Sequence, residues 1–404
     1  MASLDHENPM HESATRASVL NREPMRFRVD RDRFAEAVTW AGRTVPARPT
    51  APMLSGLRLE ALADAKACLR VESYDFEVSG RAEIAADVEV PGVALVNGRL
   101  LVDIAKALPA QPVDVEVEGT RMAVRCGRSS FALPTLPVED YPNLPPMPEP
   151  NGTVPGPVLA SAVSQVAVAA GRDDTLAFLT GVRVEVDGDS VTLAATDRYR
   201  LAVRTFNWTP RDPQFTAAAL VPARTLADTS KSLMHADEVR LAFSLASAGE
   251  GLLGIEGLDR RTTTRLLNGD FPKFRDLLPK QPSTVARVET AALTEAVKRV
   301  SLVAERSSAV RLIFSGQEVV LEAGTGDDAL GTDAIECELQ GESMERIAFN
   351  AAYLLEGLAA IGKPVTMMSF TEPGKAAVLT GSASFDADAV GDYKYLLMPI
   401  RLPA

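Results

Sequence analysis

Histidine is almost missing from this 404-residue sequence; His6, His11 and His235 are all it has. Two of them lie in a polar N-terminal stretch, which leaves His235 as the one candidate in folded sequence. A serine or cysteine nucleophile is most often activated by a histidine base, so the usual hydrolytic triads are excluded, as are histidine-rich metal sites. His235 itself reads as an ordinary residue near a helix C-terminus. Cysteine is equally sparse. Cys68, Cys126 and Cys337 stand far apart without a CxxC, a pattern of buried thiols in a reducing cytoplasm rather than of a disulfide framework. No apolar run approaches the length of a membrane span, and the opening residues lack the apolar core of a secretory signal. Residues 1–24 read as a disordered extension. A basic surplus is missing too: the formal net charge is −12. That speaks against non-specific condensation on nucleic acid, but net charge does not say where charge sits, and an acidic shell can surround a locally basic surface.

What the sequence does have is itself, three times over. ALVNGRLLVDIAKAL from Ala94, ALVPARTLADTSKSL from Ala219 and IAFNAAYLLEGLAAI from Ile347 each read as a strand running into a helix, spaced by about 125 and about 128 residues, a domain length. AEAV at Ala35, ASAV at Ala160 and TEAV at Thr294 recur in the same order. So do Asp140-Tyr141-Pro142, Asp270-Phe271-Pro272 and Asp392-Tyr393-Lys394. Each unit is doubled internally: Phe27-Arg28-Val29-Asp30 leads into a helix as Ala94-Leu95-Val96-Asn97 does, with Asp30 and Asn97 placed as N-caps. Phe34, Val38 and Ala41, then Leu101, Ile104 and Leu108, keep helical spacing, and LRLEAL, CLRVES and VEVEG alternate like half-exposed antiparallel strands. Proline clusters from Tyr141 and from Leu278 interrupt the pattern. The fold expected is α+β: three similar domains at 25–147, 148–280 and 281–404, each with two helices packed on antiparallel sheets.

Several segments imitate chemistry. Gly357 to Lys363, GLAAIGK, fits a phosphate loop until Pro364 replaces the magnesium-binding hydroxyl. The segment also ends a helix that a phosphate loop would have to begin. Gly324-Thr325-Gly326 weakly imitates a dinucleotide turn, with Asp327 and Asp328 where a pyrophosphate would be repelled. The pairs Glu139-Asp140, Asp173-Asp174 and Asp327-Asp328 could hold metals only if they converged; adjacent acids on loops are ordinarily turn and cap residues. A metal-dependent phosphoryl-transfer enzyme and a DNA-independent interaction scaffold stay open as alternatives on these residues alone. No metal or cofactor is called for.

Five further segments carry a resemblance: RPTAPML from Arg48, GRSSFALPTLPVEDYPNLP from Gly127, AATDRYRLAV from Ala194, DFPKFRDLLP from Asp270 and YKYLLMPIRL from Tyr393. In order and spacing they resemble the bacterial DNA sliding clamp, the beta subunit of DNA polymerase III, in an actinobacterial-like form, from Met25 to Leu402. The resemblance implies a head-to-tail homodimer closing into a ring, helices lining the hole, and no enzymatic activity. It implies as partners double-stranded DNA, encircled without sequence preference, the replicative polymerase, a clamp loader and repair proteins, and a cytoplasmic, nucleoid-associated location without membrane contact.

The same resemblance assigns residues. Arg48 and Arg172 align with DNA-contacting loops, and Arg99, Lys106, Arg224, Lys231, Lys298 and Arg299 become candidates for facing DNA. Phe131, Leu302 and Val303 align with the subunit interface. A groove for partner peptides takes Leu179, Thr196, Asp197, Arg198, Tyr199, Arg200, Leu201, Pro272 and Leu277 as wall, and Leu396, Leu397, Met398, Pro399, Ile400, Arg401 and Leu402 as floor. Aliphatic and Met side chains suit an adaptable apolar pocket. Two departures stand out: Arg198-Tyr199 replaces a Gly-His found in several members, and Asp276 replaces a residue that is often basic. Both point to an altered preference for peptides or antibiotics.

Overall fold

The computed structural model describes residues 24–401 apart from 64–66, 246–250, 280, 304–308, 326–328, 342–345, 373 and 390. The expected N-terminal extension to residue 23, Asp327-Asp328 and Leu402 therefore lie outside the described residues. The described chain falls into two compact units, one of residues up to Pro145 with 259–261, the other holding the remainder.

Seven helices are present among the described residues: α1 (Arg31–Gly42), α2 (Gly98–Ala107), α3 (Gly156–Ala167), α4 (Ala223–Ser232), the single turn α5 (Phe274–Leu277), α6 (Thr290–Val300) and α7 (Ala351–Ile361). The six longer ones pack in pairs, α1 on α2, α3 on α4 and α6 on α7. Three of them, α1, α2 and α7, start at a side-chain cap. Asp30 Oδ1 accepts from the amides of Asp32 and Arg33, each at 3.0 Å, and Asn97 Oδ1 from Leu100 N at 3.0 Å. Asn350 repeats the device at α7, accepting from Tyr353 N at 3.1 Å. Phe34, Val38, Ala41, Leu101, Ile104 and Leu108 are all buried, as their spacing requires.

Element order confirms the threefold repetition. The sequence strand, helix, 3-10 turn, strands, strand, helix, three strands runs from Met25 to Leu136, from Gly152 to Arg265 and from Thr284 to Leu397. The third copy economises. In the first, Val78–Ala85 pairs with Cys68–Tyr74 and a separate strand, Asp87–Val90, pairs with Met25–Val29. In the third, the single strand Ala329–Gly341 pairs with both counterparts, Glu318–Thr325 and Thr284–Glu289. The proline-rich stretch before Gly152 carries no regular structure, in keeping with blocked amides and fixed φ.

In the second unit twelve antiparallel strands form one sheet. Its joint is the last strand, Tyr393–Leu397, hydrogen-bonded on one side to Arg200–Asn207 and on the other to Ala377–Ser382. Alternation then sorts its side chains. Tyr393, Tyr395 and Leu397 enter the large core beneath the helices, whereas Leu396 joins a small outer cluster with Ala194, Leu201, Val203, Phe274 and Val378.

Tyr395 is fully buried, and the phenols of Tyr393 and Tyr395 are both pushed well above the ordinary tyrosine range by burial. Gly357 in α7 permits this packing: a Cβ there would lie 2.4 Å from Cε1 of Tyr395. Gly357→Val is therefore expected to destabilise the chain by about 1–3 kcal/mol through overpacking. Thermal unfolding of the variant should show a midpoint lowered by several degrees; an unchanged midpoint would mean that the ring moves aside freely.

Candidate functional site: a cleft between a hairpin and helix α7

The second unit contains a cleft of about 490 Å³ whose walls come from both of its repeats. One wall is the loop and 3-10 turn after α3, with Ala170, Gly171, Arg172, Asp173, Leu176 and Leu179. A second is the hairpin Asp197, Arg198, Tyr199 and Arg200, and the third is Ala352, Tyr353 and Glu356 of α7.

The hairpin is shaped by Asp197, whose Oδ1 accepts from Tyr199 N at 3.0 Å and Arg200 N at 3.1 Å. This forces Arg198 to φ +80°, a conformation that suits glycine and costs a branched or long residue about 1 kcal/mol or more. The equivalent hairpin of the first repeat has the same build: Asp75 accepts from Glu77 N at 3.0 Å and Val78 N at 2.7 Å, and Phe76 sits at φ +74°. Turn geometry has been kept between repeats while the presented side chains differ.

Arg200 anchors the cleft from below. Its side chain is 3% exposed; Nε donates to Asp197 Oδ2 at 2.9 Å and Nη1 to Glu356 of α7. The guanidinium lies 4.2 Å from the Tyr353 ring centroid, and Tyr395 Oη, 3.4 Å from Nη1, donates to the Tyr353 carbonyl at 2.8 Å. Burial alone would disfavour this cation, but Tyr395 and Glu356 outweigh burial and hold Arg200 above its ordinary pKa. Tyr199 stands 56% exposed at the mouth, its ring centroid 6.4 Å from that of Tyr353. Asp173 is spent locally. It caps the 3-10 turn through Thr175 N at 3.0 Å and Thr175 Oγ1 at 2.7 Å, and these hydrogen bonds hold its carboxyl below the usual range.

The expected groove residues are thus divided. Leu179, Asp197, Arg198, Tyr199 and Arg200 line this cleft, with Thr196 buried behind the hairpin, its hydroxyl donating to the Arg200 carbonyl at 2.6 Å. Leu201 and Leu396 lie on the opposite face of the sheet from Arg200, in the outer cluster, and Leu397 is in the main core. Pro272 lines a second cleft of about 380 Å³ with Arg183, Glu185 and Phe271. Leu277, Met398 and Ile400 are exposed large apolar residues. The strand stops before Pro399, and the tail is pinned by Met398 N to Tyr199 O at 2.9 Å and Ile400 N to Ala348 O at 2.8 Å; Arg401 is exposed. Sequence reasoning missed Tyr353 and Glu356. The signal for Glu356 was present: it is the one charge in the otherwise apolar α7 segment AAYLLEGLAAI.

The DNA-facing candidates Arg48, Arg99, Lys106, Arg172, Arg224, Lys231, Lys298 and Arg299 are all exposed. Arg224 pairs with Asp228 at 3.9 Å, Lys298 with Glu295 at 2.8 Å, and Arg299 with Asp333 at 2.7 Å. Arg172 lines the cleft, 3.7 Å from Glu356. Across the six longer helices eight basic residues face six acidic ones, against −12 for the whole chain. Leu302 is 85% exposed in the 3-10 turn after α6, Val303 is exposed beside it, and Phe131 is half-buried on the strand Ser129–Leu136. His235 lies just beyond α4, and GLAAIGK closes α7 with Gly362 in the left-handed region, a stop signal rather than a phosphate cradle.

Removing Arg200 would leave Asp197 and Glu356 without their shared cation. Glu356 is over a third exposed and can recruit water, so Arg200→Ala is expected to cost about 3 kcal/mol, the lower end for a broken buried pair. Arg200→Lys should recover less than half, because an ammonium lacks the planar fork. Urea unfolding checks both; a loss below about 1 kcal/mol for Arg200→Ala would show that the network contributes little.

Comparison with known proteins completes the picture. Models of the DNA polymerase III beta subunit match in three consecutive pieces, the N-terminal domain at residues 25–145, the central domain at 153–273 and the C-terminal domain at 275–401. The beta sliding clamp of Streptomyces coelicolor is 56% identical over 378 residues, covering 94% of this chain and all of that protein. The beta sliding clamp homolog GriR of Streptomyces muensis is 44% identical, covering 93% and 99% respectively. Among solved structures, a Pseudomonas aeruginosa sliding clamp bound to griselimycin superposes with a TM-score of 0.82 at 26% identity, over 94% of this chain and all of that one. Matched by all three domain models and by close relatives over nearly its full length, the chain belongs to the DNA polymerase III beta subunit family, the bacterial sliding clamps.

Proposed function

We propose that this chain works as a closed ring around duplex DNA, holding the replicative polymerase to its template without catalysing a reaction. The observation that carries the reading is the threefold repetition of the whole element order in a chain of the clamp family. Three equal units in each of two protomers give six-part symmetry, and a head-to-tail contact closes when its rotation is right. DNA and the polymerase are the partners that family membership brings. A clamp loader and repair proteins with clamp-binding peptides extend that list, in the cytoplasm and at the nucleoid. Domain limits of 25–147, 148–280 and 281–404 accompany the reading, supported by the break between compact units after Pro145.

Retention of this kind is topological, so phosphate contacts need only be weak. The near balance of charge on the helices, in an acidic chain, supports such a surface: Arg99, Lys106, Arg224, Lys231, Lys298 and Arg299 attract phosphate while Asp103, Asp228 and Glu295 keep it from binding tightly. Among the described residues no group of three or more His, Cys, Asp or Glu side chains is placed to hold a metal. The cleft under Tyr199 is the docking site for partner peptides, and Arg198-Tyr199 sets its preference for peptides and for compounds such as griselimycin.

Two outcomes test the ring. Loaded on nicked circular DNA with its clamp loader and ATP, the protein should be retained, and cutting the circle should release it; equal retention on circular and linear DNA would mean ordinary surface binding. Ring closure is assigned to Leu302 and Val303 of one protomer meeting Phe131 of the other. A leucine buried there contributes about 1.5–3 kcal/mol, and a carboxylate in its place would have to be desolvated. Leu302→Glu should therefore shift the protein from dimer to monomer in light scattering at micromolar concentration, whereas an unchanged dimer would place the contact elsewhere.

A further inference from the structure

Asparagine is followed by glycine at three places in the chain, Asn97-Gly98, Asn151-Gly152 and Asn268-Gly269. Such a pair is chemically unstable, because a glycine without Cβ lets its backbone nitrogen approach the preceding side-chain amide. The fold treats the three unequally. Asn97 Oδ1 accepts from Leu100 N at 3.0 Å as the N-cap of α2, and Gly98 is buried at the start of that helix. Asn151 is held twice, its Oδ1 accepting from Phe243 N at 2.6 Å and its own amide donating to Leu241 O at 2.8 Å. Gly152 is buried in the strand Gly152–Val154, in register with Leu241 and Pro210. Neither asparagine can swing onto the next nitrogen without losing these bonds.

Asn268 is different. It lies just beyond the strand Arg260–Arg265, and Asn268, Gly269 and Asp270 are all exposed. Among the described residues neither the Asn268 side chain nor the Gly269 amide makes a hydrogen bond. The backbone is anchored before the pair by Leu267 N to Leu220 O at 2.7 Å, and after it by Phe274 N to Pro272 O at 2.7 Å. Between these anchors Gly269 sits at φ +133°, a conformation that favours glycine.

We propose that Asn268 is a site of spontaneous deamidation, which adds a negative charge to the rim of the second cleft. The Gly269 nitrogen bonds to Asn268 Cγ, and the Cγ–Nδ2 bond breaks. The proton of the Gly269 amide passes through solvent to the leaving nitrogen, which departs as ammonia. Water then opens the cyclic imide at either carbonyl, giving aspartate or isoaspartate, the latter with one more carbon in the main chain. Gly269 lines the cleft of about 380 Å³ in which Arg183, Lys273 and Arg275 are balanced by Glu185, Asp270 and Asp276. A carboxylate at residue 268 tips that balance to the acidic side and costs the described fold no hydrogen bond.

The test incubates the folded, full-length protein at neutral pH over several weeks, with a sample digested at the start as blank. Trypsin releases Asn268 within Leu266–Lys273, and mass spectrometry follows its conversion. Aspartate and isoaspartate should appear there at least about tenfold faster than at Asn97 or Asn151, which must wait for local opening. The ranking should largely disappear in urea, where all three pairs are equally exposed. Asn268→Gln, whose longer side chain would have to close a larger ring, should not accumulate the more acidic species on ion exchange. Conversion of Asn268 no faster than that of Asn97 or Asn151 in the folded protein would overturn the proposal. So would a ranking unchanged in urea, or an acidic species that accumulates equally in Asn268→Gln.

Discussion

The strand Tyr393–Leu397 is the constraint on which the second unit depends. By pairing with Arg200–Asn207 and with Ala377–Ser382 it turns two repeats into one twelve-stranded sheet, and its inward side chains enter a core common to both. Its own ladder bonds would be lost together if it left, because a strand hydrogen-bonded on both sides has no edge. The cleft inherits its rigidity from this joint. Arg200 lies in register with Leu397, and Tyr395 supports Tyr353 from beneath, so the hairpin and α7 are braced by the same strand.

The buried cation at Arg200 shows how a polar network can survive in such a place. A lone guanidinium at this depth would be costly; two carboxylates, a tyrosine hydroxyl and a ring face distribute its donors and its charge. Arg172, Arg198 and Tyr199 around it are all exposed. The cleft thus has a buried floor and an exposed rim.

Comparison of repeats separates what the fold requires from what function added. Asp75 and Asp197 build the same turn, and both force a non-glycine residue into a positive φ. The first repeat shows Phe76 at that point and the second Arg198. Arg58 and Arg183 likewise occupy corresponding strands but different surroundings. Arg58 is enclosed in a ladder with Glu60 and Glu72, and Arg183 stands beside Glu185, itself bonded to Arg275. Triplication supplied one scaffold; divergence on its surface gave each copy its own side chains.

The sequence by itself determined the class of protein. Periodicity, capping residues, proline breaks and repeated landmarks are local or additive signals, and they yielded the helices and the three copies. The family motifs pointed to residues 196–201 and the C-terminal segment as parts of one groove, and the strand Arg200–Asn207 pairs with Tyr393–Leu397. What they could not show is which side chains share a face. Along a strand, direction reverses at every residue, so Arg200 and Leu201, or Leu396 and Leu397, are adjacent in sequence yet part across the sheet. Tyr353 and Glu356, about 150 residues from the hairpin they complete, reach it only because the last strand ties the two repeats together. Only the tertiary structure decided the composition of the cleft, because that depends on register between distant strands, a quantity no local pattern contains.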